Sequence, residues 1–379
     1  VIKINNNAYI TAYNDIIGIQ RLIVNLRENQ QFLTTHVYSV FRDMCLIIDE
    51  VYKSFITEQV VDVRIKHIRN QVHLYSMKRG YNQKIFNKIL EYHIDAFGEK
   101  LNNIGFYLDS NKDPVGSTLY VSFVLLDTET LPKPREERSV DIRRKVLEFT
   151  SYVGELSGFL ANEFERTLGI QKIDITKIKE EVLSIEEYDC KDINHNSLFV
   201  KDNNIRNAFI TRLILSIQEI SDTIFLKENY FDKLKNPNFM DYYILLRLVT
   251  LKTDEIFDNL YNLRDYCKED FKHFNSSRLN RVSSLLYNYE ETLKEEISNM
   301  RNMIHYNVIT NNPEENFWGY FNKLIEEDEL YPIKLIEQVL DMYLIPLKKD
   351  IIYYLGIEKI NSLSDWEQIK IRLKEIFKH

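Results

Sequence analysis

Through most of this chain apolar residues return every three or four positions, the spacing that lays a single stripe along a helix. The clearest stretch runs over 278–306, where Leu279, Val282, Leu285, Leu286, Tyr289, Leu293, Ile297, Met300 and Ile304 keep helical time. Val37, Val40, Phe41, Met44, Cys45 and Ile48 do the same within 32–58. Val61, Ile65, Ile68 and Val72 continue it over 59–79, up to Gly80 as a C-cap. The pattern predicts further helices over 13–28, 84–102, 205–226, 239–268, 314–328, 333–356 and 363–378, and another from a basic start near Arg135 to about Arg166. It changes over 117–126, where Leu119, Val121, Phe123 and Leu125 alternate with a period of two. With Ile104–Leu108 and the turn-rich Asp109–Gly116, this predicts a small β-hairpin set among helices. Residues 170–204 are polar and irregular, a connector.

The chain also repeats itself. Arg69-Asn70-Gln71-Val72-His73 matches Arg301-Asn302-Met303-Ile304-His305, and upstream the apolar phase agrees without a gap (Val61 with Leu293, Ile65 with Ile297, Ile68 with Met300). Downstream, Phe86-Asn87-Lys88 matches Phe321-Asn322-Lys323, and further upstream Asp49-Glu50-Val51-Tyr52 resembles Asp254-Glu255-Ile256-Phe257. Arg206-Asn207 is a third Arg-Asn pair, but Ile210 stands where the motif needs His. The expected architecture is mainly α: two tandem antiparallel helical-bundle units, 1–168 and 205–379, joined by the connector 169–204, with the hairpin inserted around 104–126.

Arg and His four apart on a helix are ordinarily a surface pair or a packing contact. Two copies, each with Asn after Arg and each preceding the same Phe-Asn-Lys string, are hard to assign to chance. At roughly 100° per residue the two side chains lie about 40° apart, on the border of the buried stripe. An uncharged imidazole can take a proton from a ribose 2′-OH or return one to a leaving 5′-oxygen. A guanidinium stays ionised and offers a planar fork to phosphate oxygens. Two such pairs supply both a base and an acid, with Asn70 and Asn302 to orient phosphate or imidazole, and the chemistry requires neither metal nor cofactor.

These strings resemble the HEPN superfamily, the helical ribonucleases of toxins, abortive-infection proteins and CRISPR effectors. In that superfamily two motif copies form a composite site, across a dimer or within one chain holding two units. Carried over by residue, Arg69, Asn70 and His73 match once, and Arg301, Asn302 and His305 again. Here three residues separate Arg from His, where the superfamily has four to six; on a regular helix both still share a face. The resemblance implies an RNA substrate, 2′,3′-cyclic phosphate and 5′-hydroxyl products, and a role in microbial defence or as a toxin. It also implies a homodimer as one way to complete the site, and an antitoxin or activating partner. The alternative is a non-catalytic helical module that binds a nucleotide, RNA or a protein, with Arg and His holding the two units together.

Composition narrows this picture. Ten Gly and seven Pro in 379 residues favour long helices. A net charge of −8 excludes coating of nucleic acid by bulk electrostatics, so RNA contact falls to local basic clusters. Candidates are Arg64, Lys66, Lys78 and Arg79 with Tyr75 around the first motif, and Arg278, Arg281 and Tyr306 around the second. Cys45, Cys190 and Cys267 have no metal or disulfide spacing and read as reduced thiols of a cytoplasmic protein. No long apolar run predicts a membrane span, and the start, Val1-Ile2-Lys3-Ile4-Asn5, has neither Met nor signal-peptide shape.

Overall fold

A computed structural model of the chain describes residues 6–28, 36–56, 60–70, 81–97, 103–125, 139–171, 189–309 and 312–357. The fold is mainly helical, as the periodicity predicts, with one small antiparallel sheet. The first half comprises α1 (Asn6–Glu28), α2 (His36–Phe55), α3 (Val63–Asn70), α4 (Tyr81–Phe97), β1 (Asn103–Leu108), β2 (Pro114–Ser117), α5 (Thr118–Leu125) and α6 (Ser139–Leu168). After β3 (Asp189–Asn194) come α7 (Asn204–Ile224), α8 (Phe239–Tyr266), α9 (Lys268–Ser277), α10 (Arg281–Thr292) and α11 (Lys294–Asn302). The chain closes with α12 (Phe317–Glu327), α13 (Tyr331–Val339) and α14 (Ile345–Leu355). The helix expected over 363–378 and the stretch up to Gly80 lie outside the described residues.

Three expectations are corrected. The second hairpin strand ends at Ser117, and the run read as alternating is helix α5. Leu119 to Val124 are buried without exception, and a short run buried all round shows no period that separates strand from helix. The start of α5 was encoded: Ser117 Oγ accepts from the Tyr120 N–H at 3.2 Å, an N-cap contact. The connector holds a strand, β3, which pairs with β1 from Asn103↔Asn194 to Leu108↔Asp189 and makes the sheet order β2-β1-β3. Its sequence, Asp-Cys-Lys-Asp-Ile-Asn, carries no apolar alternation because Lys191 alone is buried. Finally, the 278–306 helix is broken. Leu279 and Asn280 take positive φ, leaving Leu279 93% exposed, and the chain kinks again at Leu293. The rest of the stripe, Val282 to Ile304, is buried as predicted because the kink preserves its phase.

Buried apolar side chains from both halves merge into one cluster. α1 packs against α6 and also against α8 and α12 of the second half, and α7 is buried on every face from Asn207 to Thr223. Gly18 sets the approach of α1 to α8, since a Cβ there would stand 2.9 Å from Ile244 Cβ. That closeness brings Asp15, one turn earlier, to Tyr243 and Arg247 of α8. No described helix is long and apolar enough to cross a membrane.

Candidate functional site

The site begins on α2, at the Asp49-Glu50 pair. α3 packs beside it, and Arg69 of the first motif points back: Nε lies 2.9 Å from Asp49 Oδ2 and Nη2 donates to Glu50 Oε1 at 2.9 Å. Lys53, one turn along α2, reaches the same two carboxylates at 2.6 and 2.9 Å. Arg69 is only 11% exposed in this grip.

The second half makes a related arrangement. α11 packs on α8, where Arg301 Nε lies 3.5 Å from Asp254 Oδ2 and Ser298 Oγ donates to Asp254 Oδ1 at 2.5 Å. In each half the motif arginine meets the aspartate of an Asp-Glu pair. Arg301 is held more loosely, at 30% exposure, and its Nη1 donates to Asn302 Oδ1 at 3.1 Å.

What throws His305 out of the helix is buried beneath it. α11 ends at Asn302, a 3₁₀ turn covers Met303–His305, and Tyr306 takes φ +33°, unusual for a bulky residue. Tyr306 is fixed there by its OH, which donates to Asp15 Oδ2 at 2.8 Å, and by its ring, 5.4 Å from that of Phe55 at the end of α2. Asp15 also accepts from Tyr243 OH at 2.7 Å and Arg247 Nη2 at 3.1 Å, while Arg247 Nη1 donates to the Met300 carbonyl of α11 at 3.1 Å. Burial, with the Asp15 carboxylate beside them, pushes the Tyr243 and Tyr306 hydroxyls far above their usual pKa, so both remain donors.

The result is that His305 of the second motif reaches Glu50, the carboxylate already held by Arg69 of the first. His305 Nδ1 stands 3.0 Å from Glu50 Oε2. Burial alone would raise the Glu50 pKa, but hydrogen bonds from His305, Lys53 and Arg69 outweigh it and bring it down to about 2. An ionised carboxylate only accepts, so Nδ1 carries the proton and Nε2 is the basic nitrogen of the neutral ring. The side chain is 57% exposed, Nε2 has no partner among the described residues, and the imidazole borders a cavity of about 530 Å³. Asn299, Asn302 and Met303 line the same cavity.

The other sequence candidates fall in several places. Asn70 is exposed at the end of α3, and His73, Tyr75, Lys78 and Arg79 lie outside the described residues. Arg64 pairs with Asp62 at 3.0 Å and stacks 3.9 Å over the Tyr152 ring, while Lys66 is exposed. Arg278 and Arg281 both turn to Asp350, at 2.8 and 3.3 Å, on the far side of α10 from the motif turn in sequence. Tyr306 is corrected: its ring is buried and its OH committed to Asp15, so it anchors the turn and cannot stack on a base. Of the third Arg-Asn pair, Arg206 reaches Asp270 and Asn207 ties down the backbone of Val200.

Sequence reasoning missed Glu50, Lys53 and Asn299. The duplicated Asp-Glu string was visible, but nothing in it told which motif residue each carboxylate would meet. It also missed a fully buried ion network between α2, α7 and α8. Arg42 lies 2.5 Å from both Glu219 and Glu255, and Lys252 lies 2.6 Å from Asp43 and 3.1 Å from Glu219. Tyr120 OH donates to Glu219, and His36 pairs with Asp222. Compared with protein-family models, curated proteins and solved structures, the chain matches none of them.

Proposed function

We propose that the protein is an endoribonuclease of the kind its motifs resemble, cleaving RNA through its own 2′-hydroxyl without a metal. The observation that carries this reading is that Arg69 of one motif copy and His305 of the other converge on Glu50, with His305, whose Nε2 has no partner among the described residues, bordering a cavity. A purely structural role explains His305 poorly, because an ion pair with so exposed a partner contributes little stability. In the proposed reaction His305 Nε2 takes the 2′-OH proton and the 2′-oxygen attacks phosphorus. The bond to the 5′-oxygen then breaks, giving a 2′,3′-cyclic phosphate and a 5′-hydroxyl. Glu50 orients the imidazole and stabilises its charged form, and Arg69 fixes Glu50. Arg301 is the more open guanidinium and takes the phosphate oxygens. His73 is assigned the acid that protonates the leaving oxygen, the role the duplicated motif leaves for it.

A second reading has its own support. Arg69 is enclosed by Asp49 and Glu50, which favours a non-catalytic module in which the motif residues join the two halves. Incubation with mixed-sequence RNA in excess EDTA separates them. Chelator-resistant cleavage to cyclic-phosphate ends, lost in His305→Ala and in His73→Ala, is the expected result. Intact RNA throughout, or cleavage indifferent to both substitutions, would overturn the ribonuclease and leave the module.

A further inference from the structure

The cavity beside His305 has a chemistry of its own. Its volume, about 530 Å³, lies in the range of small-molecule sites. Among the described residues that line it, His305 is the one that can carry a positive charge and Glu315 is acidic, a poor match for a phosphate. Asn299 and Asn302 contribute carboxamides, and Met303 and Val308 contribute apolar surface. Asn302 Oδ1 already accepts from Arg301, which leaves its NH2 as the group it can offer. Asn299 sits on the last turns of α11, one turn before Met303, and offers both a donor and an acceptor. Neutral amides beside an apolar wall suit a flat, uncharged heterocycle with hydrogen-bonding edges better than an anion.

We propose that this cavity is a nucleobase subsite, holding one base of the strand whose phosphodiester lies at His305. The inference rests on the ribonuclease reading for its substrate, but the subsite can be tested apart from cleavage. With the base seated against Asn299 and Asn302, its ribose reaches the imidazole edge, where a 2′-hydroxyl meets Nε2. Base preference at the cut is then set by α11 and the turn after it, while the phosphate is gripped by arginine.

The test is equilibrium binding of adenosine, guanosine, cytidine and uridine to the full chain, followed by saturation-transfer NMR, with inorganic phosphate as competitor. At least one nucleoside is expected to bind, and phosphate is expected not to displace it. Asn299→Leu weakens that binding about 5–10-fold through the lost amide contacts. The near-isosteric Asn299→Asp, which exchanges a donor for an acceptor, reorders the four nucleosides, and both variants keep the wild-type melting temperature within a few degrees. No nucleoside binding, displacement by phosphate, or binding unchanged in both variants overturns the subsite. The two readings fail separately. Asn299-dependent nucleoside binding without RNA cleavage leaves the subsite and removes the ribonuclease. Cleavage whose base preference ignores both Asn299 variants does the reverse.

Discussion

Glu50 and Glu255 occupy matching places in the two Asp-Glu strings, yet the fold drives them in opposite directions. Glu50 faces Arg69, Lys53 and His305 at the edge of the molecule, and their hydrogen bonds overcome burial to hold its pKa at about 2. Glu255 is turned inward to Arg42. There burial, together with the neighbouring Asp43 and Glu219 carboxylates, outweighs the pull of Arg42 and Lys252 and raises it to about 7. The helices that carry them serve both clusters: α2 provides Arg42 and Asp43 inside and Asp49 and Glu50 at the edge, two turns later. On α8, Lys252 and Glu255 go inward while Asp254 goes out to Arg301. On the proposed reading, the same residue types serve stability or chemistry according to whether solvent reaches one of their atoms. In the inner network the charges satisfy one another. In the outer cluster Nε2 of the imidazole has no partner among the described residues.

That contrast can be broken most forcefully at His305. His305→Ala is expected to change unfolding free energy by less than about 1 kcal/mol, because His305 is itself mostly exposed and Glu50 keeps Arg69 and Lys53, while lowering RNA cleavage about 10²–10⁴-fold. Urea denaturation and a cleavage time course measure the two sides, and a loss of stability with cleavage intact would reverse the assignment. The inner network gives the mirror image. Lys252→Met leaves Asp43 and Glu219 short of a cation in a sealed interior and is expected to cost about 3–5 kcal/mol, read as a lower urea midpoint. A variant as stable as wild type would mean that water reaches this network.

Acidity sharpens the comparison further. Because Glu255 titrates near 7 when folded and near 4.5 when unfolded, its stabilising contribution is complete below about 4.5 and is lost as pH rises through 7. Glu255→Gln fixes the neutral form, so the fall in melting temperature between about pH 5 and pH 8 should shrink, by an amount equivalent to about 1–3 kcal/mol. An unchanged pH profile would show that the Arg42 contact keeps this carboxyl ionised. The smallest effect is expected at the anchor of the motif turn. Tyr306→Phe removes one donor to Asp15, which retains Tyr243 and Arg247, and should cost about 1 kcal/mol in chemical denaturation. A neutral result would shift the burden of holding the turn onto the Arg247 contact with the Met300 carbonyl.

Periodicity by itself determined the helical class and the buried stripe from Val282 to Ile304, but not the turn that takes His305 off the regular helix on which it was expected to share a face with Arg301. These follow from local physics, since a stripe at helical spacing has to be buried and a helix keeps its phase through one kink. Where local pattern was silent or ambiguous, the tertiary structure decided. Thr118–Leu125 became a helix in which Leu119 to Val124 are all buried, and Asp189–Asn194 became a strand because β1 offered an unpaired edge. The candidate site belongs to the second group. Glu50 and His305 are 255 positions apart, and only the packing of α2 against the turn after α11 brings them to 3.0 Å. A one-dimensional pattern reports which residues share a face. It cannot report which distant carboxylate that face will meet, because that is fixed by how closely α1 and α8 pack at Gly18 and by the Asp15 network beneath Tyr306.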